Sequence, residues 1–218
     1  MTDYKKPDHW QQKARKENYP ARSVYKLKEI DEKYGFFKPV LRGRAPAGRA
    51  PASGGVLKVL DVGAAPGSWS LYVLRKMQNR PVFLAAADLS PLSREFDNGL
   101  FDGENFFFIQ GDITTAEVTE TILSKGPYSV IISDAAPGTT GNHIVDTARS
   151  LELAEMVIEY AVTALAPGGN LAVKVFQGSG SDLLLKRIRT LFETAKSFKP
   201  QACRGESVET YFIGLGKK

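Results

Sequence analysis

A single cysteine, Cys203, stands in this chain of 218 residues, so no intrachain disulfide can form and a reducing compartment suits it. Histidine is almost as scarce. His9 and His143 have no cysteine or acidic partner at metal-ligand spacing, so neither is assigned to a metal. No apolar run approaches the roughly eighteen residues of a membrane span. The first ten residues, with Asp3 and Asp8 among them, lack the apolar core of a signal peptide and carry acids that transit peptides avoid. No phosphate-cradling P-loop and no Gly-x-Ser-x-Gly nucleophile elbow occurs. These absences exclude a disulfide scaffold, a membrane protein, a P-loop nucleotidase and an elbow-type hydrolase. They leave a cytoplasmic chain, long enough for one α/β domain spanning 1–218 and short for two.

Acidic residues are few at the N-terminal end. Residues 1–50 hold thirteen Lys/Arg against six Asp/Glu, net +7, and since the whole chain is +5, residues 51–218 carry −2. A basic N-terminal arm and helix (1–40) on a near-neutral body is the charge distribution expected of a surface that meets a phosphate backbone. A solvated basic face is the alternative. Tyr4, Trp10, Tyr19, Tyr25 and Tyr34 are interleaved with that charge, as base stacking needs, and could equally pack a helix onto a sheet. A tandem repeat follows, Gly43-Arg-Ala-Pro-Ala and Gly48-Arg-Ala-Pro-Ala. Residues 42–55 therefore read as a flexible insert, with Arg42, Arg44 and Arg49 unassigned.

The most specific segment is Val59-Leu-Asp-Val-Gly-Ala-Ala-Pro-Gly-Ser-Trp69. An apolar run ending at Asp61 fits a buried parallel strand, Gly63 to Gly67 make a tight turn, and Ser68 is placed to cap a helix. A strand, a glycine turn and a helix form the crevice where open α/β sheets bind nucleotides. Ala65 occupies the position of the second glycine of a dinucleotide fingerprint, the one that lets backbone approach a pyrophosphate. The turn therefore points to a cofactor without one, and S-adenosylmethionine fits.

Beyond the turn, strands are expected near 82–88, 105–110, 128–133, 169–176 and 208–215, with a short one near 196–202. Helices are expected from Pro20 to about Tyr34 and near 68–78, 115–124, 147–165 and 180–195, while 1–20 read as a polar arm. This rhythm implies an α/β, Rossmann-like fold: a mainly parallel seven-stranded sheet with helices on both faces. Asp88, Asp112 and Asp134 each follow a strand and, with Asp61, fall at one sheet edge. Asp88 is placed for ribose hydroxyls and Asp112 for an adenine amino group. Asn142 and His143 fall in a mobile loop after Asp134.

Lys174 interrupts the apolar strand Leu171-Ala-Val-Lys-Val-Phe176, where a charge is out of place unless it points into a site. A free lysine is neutral in only about one molecule per two thousand at pH 7. Burial and a neighbouring cation favour the neutral amine and carboxylates oppose it. The residue is either a general base or a fixed charge that steers the acceptor. Lys26, among Lys28, Glu29 and Lys33, reads by itself as a solvated helix residue.

In these segments, together with Ala21-Arg-Ser-Val-Tyr-Lys-Leu, Ser133-Asp-Ala-Ala-Pro, Val173-Lys-Val-Phe-Gln-Gly and Ser207-Val-Glu-Thr-Tyr, the chain resembles the FtsJ/RrmJ-like RNA ribose 2′-O-methyltransferases from about Ala21 to Gly216. The resemblance implies a catalytic tetrad at Lys26, Asp134, Lys174 and Glu209, with Lys174 as general base. It implies cofactor contacts at Gly63, Gly67, Trp69, Asp88, Asp112 and Asp134. Its nearest branch acts on a uridine of large-subunit rRNA, so the expected partner is RNA, approached by a monomer. A tRNA anticodon-loop methyltransferase is the alternative within the family. A non-catalytic ribosome-assembly factor and a nicotinamide oxidoreductase are the alternatives outside it.

Overall fold

Seven strands form one sheet in the order β3-β2-β1-β4-β5-β7-β6 in the computed structural model, which describes residues 8–38, 55–205 and 207–218. The strands are β1 (Leu57–Val62), β2 (Val82–Asp88), β3 (Phe106–Gln110), β4 (Tyr128–Ser133), β5 (Leu165–Phe176), β6 (Phe192–Phe198) and β7 (Glu209–Lys217). The first five are parallel, and β7 runs antiparallel between β5 and β6. Strand order reverses between β1 and β4, so the turn after β1 and the residues after β4 meet at a topological switch point, where such sheets bind ligands.

The helices are α1 (His9–Lys16), α2 (Val24–Tyr34), α3 (Ser68–Lys76), α4 (Ala116–Lys125), α5 (His143–Ala164) and α6 (Ser181–Leu191). The β-strands alternate their side chains between two cores. On one face Val59, Leu84, Ala172, Tyr211 and Ile213 pack with α2 and α3. On the other, Leu60, Ile131, Val173, Val175 and Phe212 pack with α4, α5 and α6. Among the described residues no helix is long and apolar enough to cross a membrane.

Several boundaries differ from the sequence reading. Residues 9–16 are helical rather than an irregular arm, because Asp8 caps the backbone amide of Gln11 and Ala14 is buried. Helix α2 begins at Val24, not Pro20. Helix α5 begins at His143, since the Asn142 side chain caps the amides of Ile144 and Val145, so this pair starts a helix and is not part of a mobile loop. The last helix ends at Leu191, and β6 starts at once, earlier than 196. Ser68 does not cap α3: Gly67, at φ +106°, occupies that position. The Ser68 hydroxyl instead accepts from the amide of Ala21 (2.8 Å) and donates to its carbonyl (3.1 Å), tying the entry of α2 to α3. Tyr19 and Tyr25 are buried, and Trp10 lies 5.0 Å from the Tyr25 ring, so these aromatics pack the N-terminal helices. Tyr4, Arg42, Arg44, Arg49 and the repeat lie outside the described residues.

Candidate active site

At the switch point the backbone comes close enough to exclude any side chain. Gly63 has φ +75°, and a Cβ there would stand 2.5 Å from the Cα of Ala135. A cleft of about 250 Å³ opens beside it, lined by Gly63, Ala65 and Gly111 and by the carboxylates of Asp88, Asp112 and Asp134, with Leu89 and Ile113 as apolar wall. Asp88 ends β2, and its Oδ2 accepts from the amide of Ala65 (2.9 Å), so it also fixes the turn. Asp112 is exposed at the rim, where its carboxylate accepts from the amide of Thr114 and is held below its ordinary range by that bond.

The residues fit S-adenosylmethionine. Among the described residues no lysine or arginine lines this cleft, whereas three carboxylates suit a cationic nucleoside bearing hydroxyls and an amine. Asp61, grouped above with the edge acids, is not among them. It is fully buried behind the turn; its Oδ2 accepts from Ser70 (2.7 Å) and its Oδ1 has no partner. Burial pushes this carboxyl up to about 7; the Ser70 bond opposes the shift, and the charges of Asp134 and Asp88 add to it. Gly67 and Trp69 also lie off the cleft. Gly67 abuts the Phe101 ring, and the buried Trp69 donates from Nε1 to the carbonyl of Ser23 (2.8 Å).

Four separate elements deliver the remaining polar groups to one point. Lys26, from the first turn of α2, is 9% exposed and lies 2.6 Å from Oε1 of Glu209 and 3.6 Å from Oδ1 of Asp134. Lys174, from β5, lies 3.1 Å from the same Oδ1 and also donates to the Asp134 carbonyl. Burial alone would weaken proton binding at Lys26, but Asp134 and Glu209 outweigh it and raise its pKa. Burial would likewise raise Asp134, yet Lys174, then Lys26, then a Tyr211 hydroxyl bond hold it below the ordinary carboxylate range. The solvated reading of Lys26 is therefore excluded.

Two members of this cluster escaped sequence reasoning. Tyr211 donates its hydroxyl to Oδ1 of Asp134. Cys203 donates from Sγ to Oε1 of Glu209 (3.0 Å); burial and that bond push its thiol up to about 12. A signal was available for Tyr211, which shares a strand face with Glu209 two residues earlier. None pointed to Cys203.

A second cleft, of about 280 Å³, starts from Lys26 and Glu209 and continues past Arg22, Arg204 and Ser207. Its walls are held together: Glu29 on α2 accepts from the amides of Gln201 (2.7 Å) and Ala202 (2.9 Å), and Arg22 donates to the Ala202 carbonyl. The Lys26–Asp134 pair links the two clefts. A group held in one is thereby brought near a group held in the other.

Known proteins resemble this chain over nearly its whole length. A family model described as FtsJ-like methyltransferase matches residues 19–217. The "Ribosomal RNA large subunit methyltransferase E" of Treponema denticola is 46% identical over 215 residues, 99% of this chain and 97% of the relative. That of Oleidesulfovibrio alaskensis is 42% identical over 213 residues, covering 97% and 92%. Among solved structures, one described as a ribosomal RNA methyltransferase from Plasmodium falciparum superposes with a TM-score of 0.69 at 25% identity, covering 91% of this chain and 98% of that one.

Proposed function

The chain belongs to the FtsJ-like methyltransferase family, and on that premise we propose that it methylates a ribose 2′-hydroxyl of RNA, a uridine of large-subunit rRNA, using S-adenosylmethionine. The observation that carries this reading is the convergence of Lys26, Asp134, Lys174 and Glu209 where a carboxylate-lined cleft meets a basic one. The names of the relatives supply the choice of rRNA. The protein then works as one methyltransferase domain over 1–218, a cytoplasmic monomer acting on the large ribosomal subunit.

When bound, the cofactor supplies an electrophilic methyl on a cationic sulfur, and as a cation it favours the neutral form of a nearby amine. Asp88 and Asp112 hold the nucleoside, and Gly63 leaves room for it. Gly67 and Trp69 act from behind, by shaping the turn and anchoring α3. The chemistry the cofactor would supply is a methyl group, and much of the rate would come from how this chain's residues align the receiving ribose oxygen. Its proton passes to Nζ of Lys174. Asp134 fixes Lys174 through two oxygens, and Glu209 fixes Lys26, which stays charged and steadies the oxyanion that develops at the 2′ position.

The test is transfer of tritiated methyl from S-adenosylmethionine to purified rRNA and tRNA, followed by mapping of the labelled nucleotide. Label on a uridine ribose of large-subunit rRNA is the expected result. Label confined to a tRNA anticodon loop would move the substrate to the alternative branch. RNA binding with no label in either RNA would make the chain an assembly factor.

A further inference from the structure

Residues of β5 are buried without a break from Leu171 to Val175, and burial relaxes at Phe176, the last residue of the strand. A half-buried aromatic ring thus stands at the C-terminal end of a parallel strand, where such sheets bind ligands. We propose that the ring of Phe176 stacks on the base of the acceptor nucleotide, holding it out of the RNA stack while its 2′-hydroxyl meets Lys174. The proposal rests on the 2′-O-methylation reading above.

Strand alternation puts Phe176 on the same face as Lys174, two residues earlier. In the ladder between β5 and β7, Phe176 is directly paired with Glu209, as Lys174 is with Tyr211. Such cross-strand partners project to one face. The ring is therefore one strand repeat, about 6.6 Å, from the candidate base, and it flanks the carboxylate that holds Lys26. Its backbone is fixed on both sides. The Phe176 amide donates to Oγ of Ser150 (3.0 Å), and the Gln177 amide donates to the carbonyl of Val208 (2.8 Å). A ring on so short a stem loses little rotamer freedom when a ligand covers it.

Neighbouring aromatics of the same ladder are core residues: Tyr211 packs in one core, Phe192 and Phe212 in the other. Phe176 belongs to neither core, and among the described residues its ring stacks on no other ring. Nucleotide chemistry supplies the missing partner. A base is linked through C1′, the carbon next to the one that bears the 2′-oxygen. An acceptor oxygen at Lys174 therefore carries its base within reach of a side chain two residues along the strand. Every base has a π face, so a ring of this kind takes any base that is free of its neighbours. Within a helix no face is free, so the contact selects an unstacked nucleotide and not a sequence.

The experiment compares the full-length wild type with Phe176→Leu and Phe176→Tyr on an unmodified transcript of large-subunit rRNA. Leucine keeps an apolar side chain without a π face, and tyrosine keeps the ring. Phe176→Leu should raise Kd and KM for the RNA about tenfold, while affinity for S-adenosylmethionine stays within about twofold. Phe176→Tyr should recover most of that loss. A second transcript carries 5-iodouridine, which cross-links on irradiation to an aromatic ring stacked on it. The wild type should attach through Phe176 to the nucleotide that it methylates in the unmodified transcript. Wild-type RNA affinity in Phe176→Leu would overturn the stack. So would cross-links that omit Phe176, or that join it to a nucleotide other than the methylated one. A Phe176 cross-link with no ribose methylated anywhere in the RNA would instead overturn the methylation reading.

Discussion

Lys174 and Tyr211 are directly paired residues of the β5–β7 ladder, and both end on the same carboxylate oxygen of Asp134. Cross-strand partners project to one face of a sheet. The antiparallel insertion of β7 therefore sets a hydroxyl donor beside the candidate base with no loop intervening. Glu209, two residues before Tyr211, projects to that face as well. The mutual placement of Lys174, Tyr211 and Glu209 is thus a property of strand register.

Replacing Lys174 by alanine should lower methyl transfer by about 10²- to 10⁴-fold, the usual contribution of a general base, while binding of S-adenosylmethionine in a calorimeter stays within a few-fold. Lys174→Arg separates the two roles of the residue. A base requires a group that can lose its proton, so arginine should be as inactive as alanine. Recovery of a substantial part of wild-type rate by arginine would assign Lys174 to charge stabilisation instead.

Tyr211→Phe removes one of the donors that hold Asp134. A buried hydrogen bond to a charged group contributes about 1.5–3 kcal/mol, so urea unfolding should show a loss of that order. Methyl transfer should fall far less than in Lys174→Ala, because Lys26 and Lys174 still hold the carboxylate. Stability and rate both at wild-type level would show that the hydroxyl contributes nothing to the cluster.

Asp61 gives a pH dependence with a definite sign. Its folded pKa is raised, from the ordinary carboxylate value to about 7, so the folded protein binds the proton more tightly than the unfolded chain does. The associated stability is complete below about pH 4 and is lost as pH rises towards 7, with a limiting slope of about 1.4 kcal/mol per pH unit. Asp61→Asn keeps a partner for Ser70 and cannot ionise. The stability difference between the variant and wild type should therefore move in favour of the variant from pH 5 to pH 8. Parallel unfolding curves for the two proteins over that range would refute the assignment.

The segment after Asp134 is latched. Asp146 is buried in the first turn of α5 and accepts from the amide and hydroxyl of Thr140 (2.7 Å each) and the amide of Gly141 (3.2 Å). These bonds hold its pKa below the ordinary value. Asp146→Ala should speed hydrogen exchange at the amides of Thr140 and Gly141 and raise KM for RNA, while the α5 amides beyond its first turn keep their protection. Unchanged exchange at Thr140 would show that the latch does not hold the segment.

The parts of this site that were legible in the sequence are those where a residue type conflicts with its local pattern. Lys174 in an apolar strand and a glycine turn that lacks its second glycine are of that kind, as are carboxylates at successive strand ends. The parts that were not legible fit their surroundings too well. Tyr211 reads as an ordinary core aromatic on an alternating strand, and its partner lies 77 positions away. Asp61 looks like its three edge neighbours, and only the packing of α3 against β1 turns it inward to Ser70. Helix α1 has too few apolar residues to show a periodicity, and its cap at Asp8 is indistinguishable from a polar tail until Arg22 is seen to hold it. Long-range pairing supplied what local pattern could not.

The Lys26–Asp134 pair is a thermodynamic link as well as a shared wall. Two ligands that act on one ion pair from opposite sides cannot bind independently. Whatever free energy the cationic donor adds to or takes from RNA affinity must appear, equal in size, in the effect of RNA on donor affinity. Methylation converts the cationic donor to a neutral thioether at the moment the acceptor loses its hydroxyl. On the proposed reading, a change of charge in the donor cleft would reach the second cleft through this one ion pair.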